Sequence, residues 1–103
     1  MKTYTICGSM RFEREMQEIA YYLESQKGYN ILQCVYGVKD IKPTDEELKN
    51  LENAHYLKIE LSDGIYVVNI NGYIGDSVQK EIRYAKEHGK EVIYHCEPHK
   101  AQN

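Results

Sequence analysis

The sequence contains no tryptophan and one phenylalanine, against ten tyrosines in 103 residues. It has no apolar run near the roughly 18 residues that a membrane span requires, and no cluster of lysine and arginine. We therefore expect no membrane contact and no nucleic-acid partner. The net charge of −3, with acids and bases interspersed, agrees with that expectation.

The three cysteines are too few and odd in number for a disulfide framework. Cys7, Cys34 and Cys96 each lie in or beside a predicted strand, which favours buried, reduced thiols. Cys7 could act as a nucleophile only with a base beside it, and the sequence shows none. Because Met1 and Lys2 lead directly into a strand rather than a signal sequence, we expect a cytoplasmic protein.

Hydrophobic periodicity predicts four strands alternating with three helices. The strands are predicted at 2–7, 31–36, 65–70 and 91–95, and the helices begin after Ser9, Thr44 and Asp76. Short connections between them imply a parallel sheet with right-handed crossovers. The fold class is therefore α/β, a flavodoxin- or Rossmann-like three-layer sandwich with strand order 2-1-3-4. We expect one domain over residues 1–96 and a polar tail over residues 97–103.

Helix signals support this division of the chain. Thr44 with Glu47, and Asp76 with Gln79, have the spacing of a capping box. The apolar side of the second helix is predicted from its leucines, one alanine and one isoleucine: Leu48, Leu51, Ala54, Ile59 and Leu61. That of the third is the stripe Val78, Ile82 and Ala85.

Two loops are expected to meet at the carboxyl edge of the sheet, between strands one and three. The first, Gly8–Phe12, combines a glycine turn, the Ser9 hydroxyl and the Arg11 guanidinium at a helix start, which suits a phosphate or carboxylate. The alternative is an ordinary turn with Ser9 as cap and Arg11 in solvent. The second loop, Asn71–Ser77, contains Tyr73, which either walls a pocket or covers the loop.

Glu81 follows the second loop on the third helix and is the candidate catalytic carboxylate. It could be a nucleophile or a general base. The alternative is an acid near the helix N-terminus, where the helix dipole favours a negative charge.

The histidines give weaker signals. His55 falls on the apolar side of the second helix and reads as a buried core histidine, with catalysis as the alternative. His95, Cys96 and His99 lack a fourth ligand and paired spacing, so we predict no metal site. We also predict no cofactor.

Three segments of the sequence resemble the nucleoside 2-deoxyribosyltransferase superfamily, which includes 2′-deoxynucleoside 5′-monophosphate N-glycosidases. They are ICGSMRF, SDGIYVVNI and GYIGDSVQKEIRYAKEHGKEVI, and the resemblance extends over about Thr3–Tyr94. The resemblance implies a nucleophilic glutamate on the third helix, here Glu81, that attacks the anomeric carbon of a nucleoside or nucleotide.

The resemblance also implies the roles of the surrounding residues. Residues matching the substrate-binding loops are Gly8, Ser9, Arg11, Gly72, Tyr73, Gly75 and Ser77, with Arg11 and Ser77 near a 5′-phosphate. His55 stands eight residues before Asp63, where the family has an aspartate, and could protonate the leaving base.

Three functions remain open from the sequence. The first is an enzyme that cleaves or transfers at the N-glycosidic bond of a nucleoside or its 5′-monophosphate. The second is a catalytically lapsed nucleotide-binding module of the same fold, and the third is an interaction protein. The ten tyrosines exceed what one core needs, which favours a homodimer.

Overall fold

In the computed structural model, which describes residues 1–97, a parallel sheet of four strands separates two layers of helices. The strands are β1 Thr3–Gly8, β2 Asn30–Leu32, β3 Gly64–Val68 and β4 Glu91–Tyr94, and the helices are α1 Glu13–Ser25, α2 Asp45–Leu61 and α3 Asp76–Glu87. The sheet order is β2-β1-β3-β4. The predicted three-layer α/β architecture and its strand order are confirmed.

Alternation along β1 divides the interior into two cores. Tyr4 and Ile6 face α1, where the first core contains Met16, Ala20 and Leu23. Cys7 faces the other way, into a second core that α2 and α3 complete. Successive side chains of a strand point to opposite faces of the sheet, so odd and even positions of β1 belong to different layers.

β2 is shorter than predicted, ending at Leu32 rather than Tyr36. Its ladder with β1 stops at the pair Thr5–Leu32. β2 is an edge strand, so only one neighbour can hold it in the sheet. Beyond Leu32, the Gln33 carbonyl accepts a hydrogen bond from Lys58 Nζ at 3.0 Å instead, and the chain turns away from β1.

The helix starts differ in part from the prediction. The capping box of α2 is confirmed: Glu47 N–H donates to Thr44 Oγ1 at 3.1 Å, and Thr44 N–H donates to the Glu47 carboxylate at 2.9 Å. The second predicted capping box is wrong. Gly75, not Asp76, is the N-cap of α3, and the Gln79 side-chain amide donates to the Ile74 carbonyl at 3.1 Å instead of accepting from the backbone N–H of the capping residue.

The apolar side of α2 is mostly uncovered, contrary to the prediction. Of its five predicted core residues only Ile59 is buried; Leu48, Leu51, Ala54 and Leu61 are exposed. The helix packs on the sheet near its C-terminal end, while Leu48 and Leu51 line a cleft instead. The stripe on α3 is confirmed, since Val78, Ile82 and Ala85 are all buried.

The predicted tail, residues 97–103, lies outside the described residues except for Glu97, so the domain boundary at residue 96 stays a prediction. Within the described range, none of the helices has the length and apolar character needed to cross a membrane.

Substitution of Gly64 tests how closely β3 packs against β4. A Cβ at this position would lie 2.8 Å from Glu91 Cβ and closer still to the Glu91 carbonyl oxygen. Because backbone must shift to make room, we expect Gly64→Ala to lower the free energy of unfolding by about 1–3 kcal/mol. Denaturant unfolding provides the measurement.

Gly37→Ala is the matched control, because a Cβ there would meet nothing within 4 Å. Its cost should stay within about 0.5 kcal/mol. Equal stability of the two variants would contradict the close strand packing described here.

Candidate functional site

A cleft of about 1340 Å³ opens at the carboxyl edge of the sheet. Its walls come from the turn after β1, the loop after β2, the first turns of α3 and one side of α2. The sheet order makes β1 the neighbour of both β2 and β3, so the loops that follow these three strands meet at one edge. The cleft lies where the sequence predicted the two loops to converge.

The turn after β1 supplies Gly8 and Ser9 to the cleft wall. A Cβ on Gly8 would lie 2.8 Å from Met16 Sδ and 3.2 Å from Val68 Cβ, so a glycine lets the strand end approach both. Ser9 caps the 3-10 turn Met10–Phe12, and its hydroxyl accepts a hydrogen bond from Arg11 N–H at 3.3 Å. Ser9 thus fixes the turn and also faces the cleft.

Tyr73 connects the two loops of the rim. The Arg11 guanidinium carbon lies 3.9 Å from the centre of the Tyr73 ring, a cation–π contact. Phe12 meets the same ring edge-on, with centroids 6.1 Å apart. Tyr73 lines the cleft, whereas Arg11 and Gly72, both within residues 1–97, do not. Arg11 therefore stands behind the tyrosine at the rim rather than inside the wall.

The N-terminal half of α3 forms the opposite wall. Gly75 precedes the helix in an extended conformation, and Ser77 and Glu81 follow on the side that faces the cleft. The buried stripe through Val78 and Ile82 holds this helix on the sheet, so the position of Glu81 is set by packing. The Glu81 side chain retains 17% of its accessible surface.

Three chemically active side chains meet at the floor of the cleft. His55 Nε2 lies 3.4 Å from Glu81 Oε1 and 3.5 Å from Cys7 Sγ. The three ligating atoms are all within 4.8 Å of one another. Each comes from a different element, β1, α2 or α3, and we call them the Cys7–His55–Glu81 cluster.

Burial controls the chemistry of this cluster. Cys7 is 1% exposed, and desolvation, followed by the nearby Glu81 carboxylate, raises the pKa of its thiol well above the ordinary value. The thiol is therefore protonated at neutral pH. His55 has 12% of its side-chain surface exposed, and its Nδ1 atom is buried with no hydrogen-bond partner among residues 1–97. The imidazole is thus held by packing and by contacts at Nε2.

Two parts of the site lay beyond the sequence interpretation. The loop after β2, including Cys34, Val35 and Tyr36, lines the cleft, although the sequence placed these residues in a strand. The neighbourhood of Cys7 and His55 was also missed, because no base stands near Cys7 along the sequence. The alternation of side chains along β1 could have indicated this neighbourhood, because it places Cys7 on the face of the strand that α2 and α3 cover.

Comparison with solved structures finds a protein of similar architecture. The Clostridium botulinum CMP N-glycosidase BcmB shares the architecture with a TM-score of 0.59 and 18% sequence identity, over 90% of this chain and 70% of the other. No protein-family model and no curated protein sequence matches the chain. At this identity the likeness concerns architecture, and it shows that this chain has the same α/β fold as that enzyme, as the sequence resemblance implied.

Proposed function

We propose that this protein is an N-glycosidase that releases the base from a nucleoside 5′-monophosphate, with Glu81 as the nucleophile. The observation that carries the proposal is the position of the Glu81 carboxylate, in the wall of the cleft that Gly8 and Ser9 also line. The fold shared with a CMP N-glycosidase supports the reaction class and makes cytidine monophosphate the first substrate to try.

The proposed reaction has two displacements at the anomeric carbon. A Glu81 oxygen forms a bond to C1′ while the C1′–N bond breaks and the electron pair leaves with the base. In the second displacement, the oxygen of a water molecule bonds to C1′ while the bond between the Glu81 oxygen and C1′ breaks. This restores the carboxylate. One water is consumed, and the products are the free base and the sugar phosphate.

His55 is the group best placed to move the protons. Its Nε2 atom lies 3.4 Å from Glu81 Oε1, so the imidazole sits beside the reacting carboxylate. A protonated His55 can supply a proton to the leaving base and, once neutral, accept one from the attacking water. The same side chain thereby serves both displacements.

The phosphate is proposed to bind where two chain segments present N–H groups, at the Ser9 turn and at the start of α3 near Ser77. Arg11 adds charge at the rim. Stacking on Tyr73 occupies one face of the guanidinium and leaves its N–H edge free to donate to phosphate oxygens.

Nucleotide binding without turnover is the second candidate function. The observation in its favour is that Glu81 already has His55 and Cys7 as neighbours. An ion pair with a protonated His55 would lower the nucleophilicity of the carboxylate. Such a protein should be stabilised against heat by a nucleotide monophosphate while releasing no base from it.

Glu81→Gln tests the proposed nucleophile. The amide keeps the shape of the side chain but lacks the attacking charge, so base release from cytidine and deoxycytidine monophosphates should fall by roughly three or more orders of magnitude. Chromatography of the free base is the measurement. Thermal stabilisation by the same nucleotides should survive.

Glu87→Gln is the matched control, an exposed glutamate on the same helix. Its rate should equal that of the unsubstituted protein. Turnover that persists in Glu81→Gln would exclude Glu81 as the nucleophile, and stabilisation without base release in the unsubstituted protein would favour the second candidate.

Arg11→Ala tests the recognition of phosphate. Removing the guanidinium should weaken binding of a monophosphate at least tenfold more than binding of the matching nucleoside, about 1.4 kcal/mol, because only the phosphate gains a charge-assisted hydrogen bond. Isothermal titration with both ligands gives the two affinities. Arg14→Ala removes the same charge from the exposed side of α1 and should change neither. Equal losses of affinity for both ligands in Arg11→Ala would mean that Arg11 does not contact the phosphate.

The predicted homodimer stays a prediction, and we propose the uncovered side of α2 as its interface. Exposed aliphatic side chains continue from this helix into the loop after β2: Val35, Val38, Ile41, Leu48 and Leu51. A partner chain that covered these side chains would remove apolar surface from water. Light scattering at micromolar concentration should give twice the 12.1 kDa chain mass, and Leu51→Glu should shift it toward the monomer. A monomer for the unsubstituted chain would contradict the expectation.

A further inference from the structure

We propose that the Cys7–His55–Glu81 cluster is a binding site for Zn²⁺, and that the metal blocks the cleft when it binds. The three side chains offer a sulfur, an imidazole nitrogen and a carboxylate oxygen, the donor types that zinc takes in proteins, and the Cys7 thiol releases its proton to solvent as the metal binds. This site could not be predicted from the sequence, because the three residues are 48 and 26 positions apart and have no motif spacing.

The separations between the donor atoms fit tetrahedral zinc. With Zn–S near ~2.3 Å and Zn–N and Zn–O near ~2.0–2.1 Å, a tetrahedron requires about 3.6 Å between sulfur and nitrogen and about 3.4 Å between nitrogen and oxygen. The observed distances are 3.5 Å from Cys7 Sγ to His55 Nε2 and 3.4 Å from His55 Nε2 to Glu81 Oε1. The third pair is within 4.8 Å, against about 3.6 Å required, so a shift of at most about 1.2 Å in the Glu81 side chain completes the set.

The surroundings leave the fourth position open. Cys7 is buried behind the other two, whereas His55 and Glu81 both line the cleft, so a metal among them faces the cavity. Three protein ligands with one open position are the arrangement of an exchangeable or catalytic zinc rather than a closed structural one. A thiolate and an imidazole also select Zn²⁺ over Mg²⁺ and Ca²⁺, which prefer oxygen ligands alone.

The affinity should be moderate. A histidine that binds zinc through Nε2 usually donates its Nδ1–H to an acceptor, and here Nδ1 has no partner within residues 1–97. Loss of such an outer contact typically costs 10–100-fold in metal affinity. We therefore expect weaker binding than at a closed structural zinc site, and a metal that exchanges with solvent.

The effect on turnover follows from the proposed function and rests on it. Binding to the metal would draw negative charge away from the Glu81 carboxylate and lower its nucleophilicity, and the metal would occupy part of the cleft beside it. Zinc should therefore inhibit base release over the same concentration range in which it binds.

The test is a titration of the reduced, tag-free chain with Zn²⁺ and, separately, with Co²⁺ as a spectroscopic probe. We expect one metal per chain, a thiolate-to-cobalt charge-transfer band in the near ultraviolet, and no binding of Mg²⁺. Cys7→Ser and His55→Asn should each weaken Zn²⁺ binding by roughly 100-fold or more. Cys34→Ser, a thiol of the same cleft, and His88→Asn, an exposed imidazole directly after α3, should bind Zn²⁺ as the unsubstituted chain does.

Absence of Zn²⁺ binding, absence of the charge-transfer band, or full affinity in both Cys7→Ser and His55→Asn would overturn the proposal. Circular dichroism of the metal-free variants checks that each is folded. If Cys7→Ser is not folded, the zinc affinity of His55→Asn alone tests the proposal. If no nucleotide is hydrolysed, the titration still decides the metal site while the proposed function fails. If zinc binds here and base release continues unchanged, the site stands and Glu81 is not the nucleophile.

Discussion

The pairing of β1 with β3 is the interaction on which the rest of the structure depends. The two strands run in register from Tyr4–Gly64 to Gly8–Val68, and nearly every side chain along them is buried. This ladder places the ends of both strands side by side at one edge. The turn after β1 and the loop after β3 must therefore meet there, and the cleft follows from that meeting rather than from any single loop.

The same ladder explains why the active groups lie close together. Cys7 is the last inward residue of β1 on the face that α2 and α3 cover, and Val67 is its partner on β3. His55 projects from α2 and Glu81 from α3 toward that strand end. A carboxylate, an imidazole and a thiol are thus assembled by the packing of three elements. A change in how α3 sits on Val67 would move Glu81 relative to both neighbours.

Much of the fold was predictable from the sequence, because it rests on local patterns that each element repeats. The stripe Val78, Ile82 and Ala85 fixed α3, and the Thr44–Glu47 box fixed the start of α2. Other features depended on tertiary context. The end of β2 is determined by its single neighbour at the sheet edge. Leu48 and Leu51 are exposed because they lie on the part of α2 that has left the sheet. A helical stripe shows which side of a helix is apolar, and only the assembled structure shows what covers it.

Attack of Glu81 on the anomeric carbon is the central claim, and trapping the covalent intermediate tests it most directly. A 2′-deoxy-2′-fluoro nucleoside 5′-monophosphate destabilises the cationic transition states and so slows the hydrolysis of a glycosyl-enzyme. After incubation and proteolysis, mass spectrometry should find the fluorinated sugar phosphate on the peptide that contains Glu81, at that side chain. Base release with the label on Cys7, or with no label on Glu81, would contradict the account.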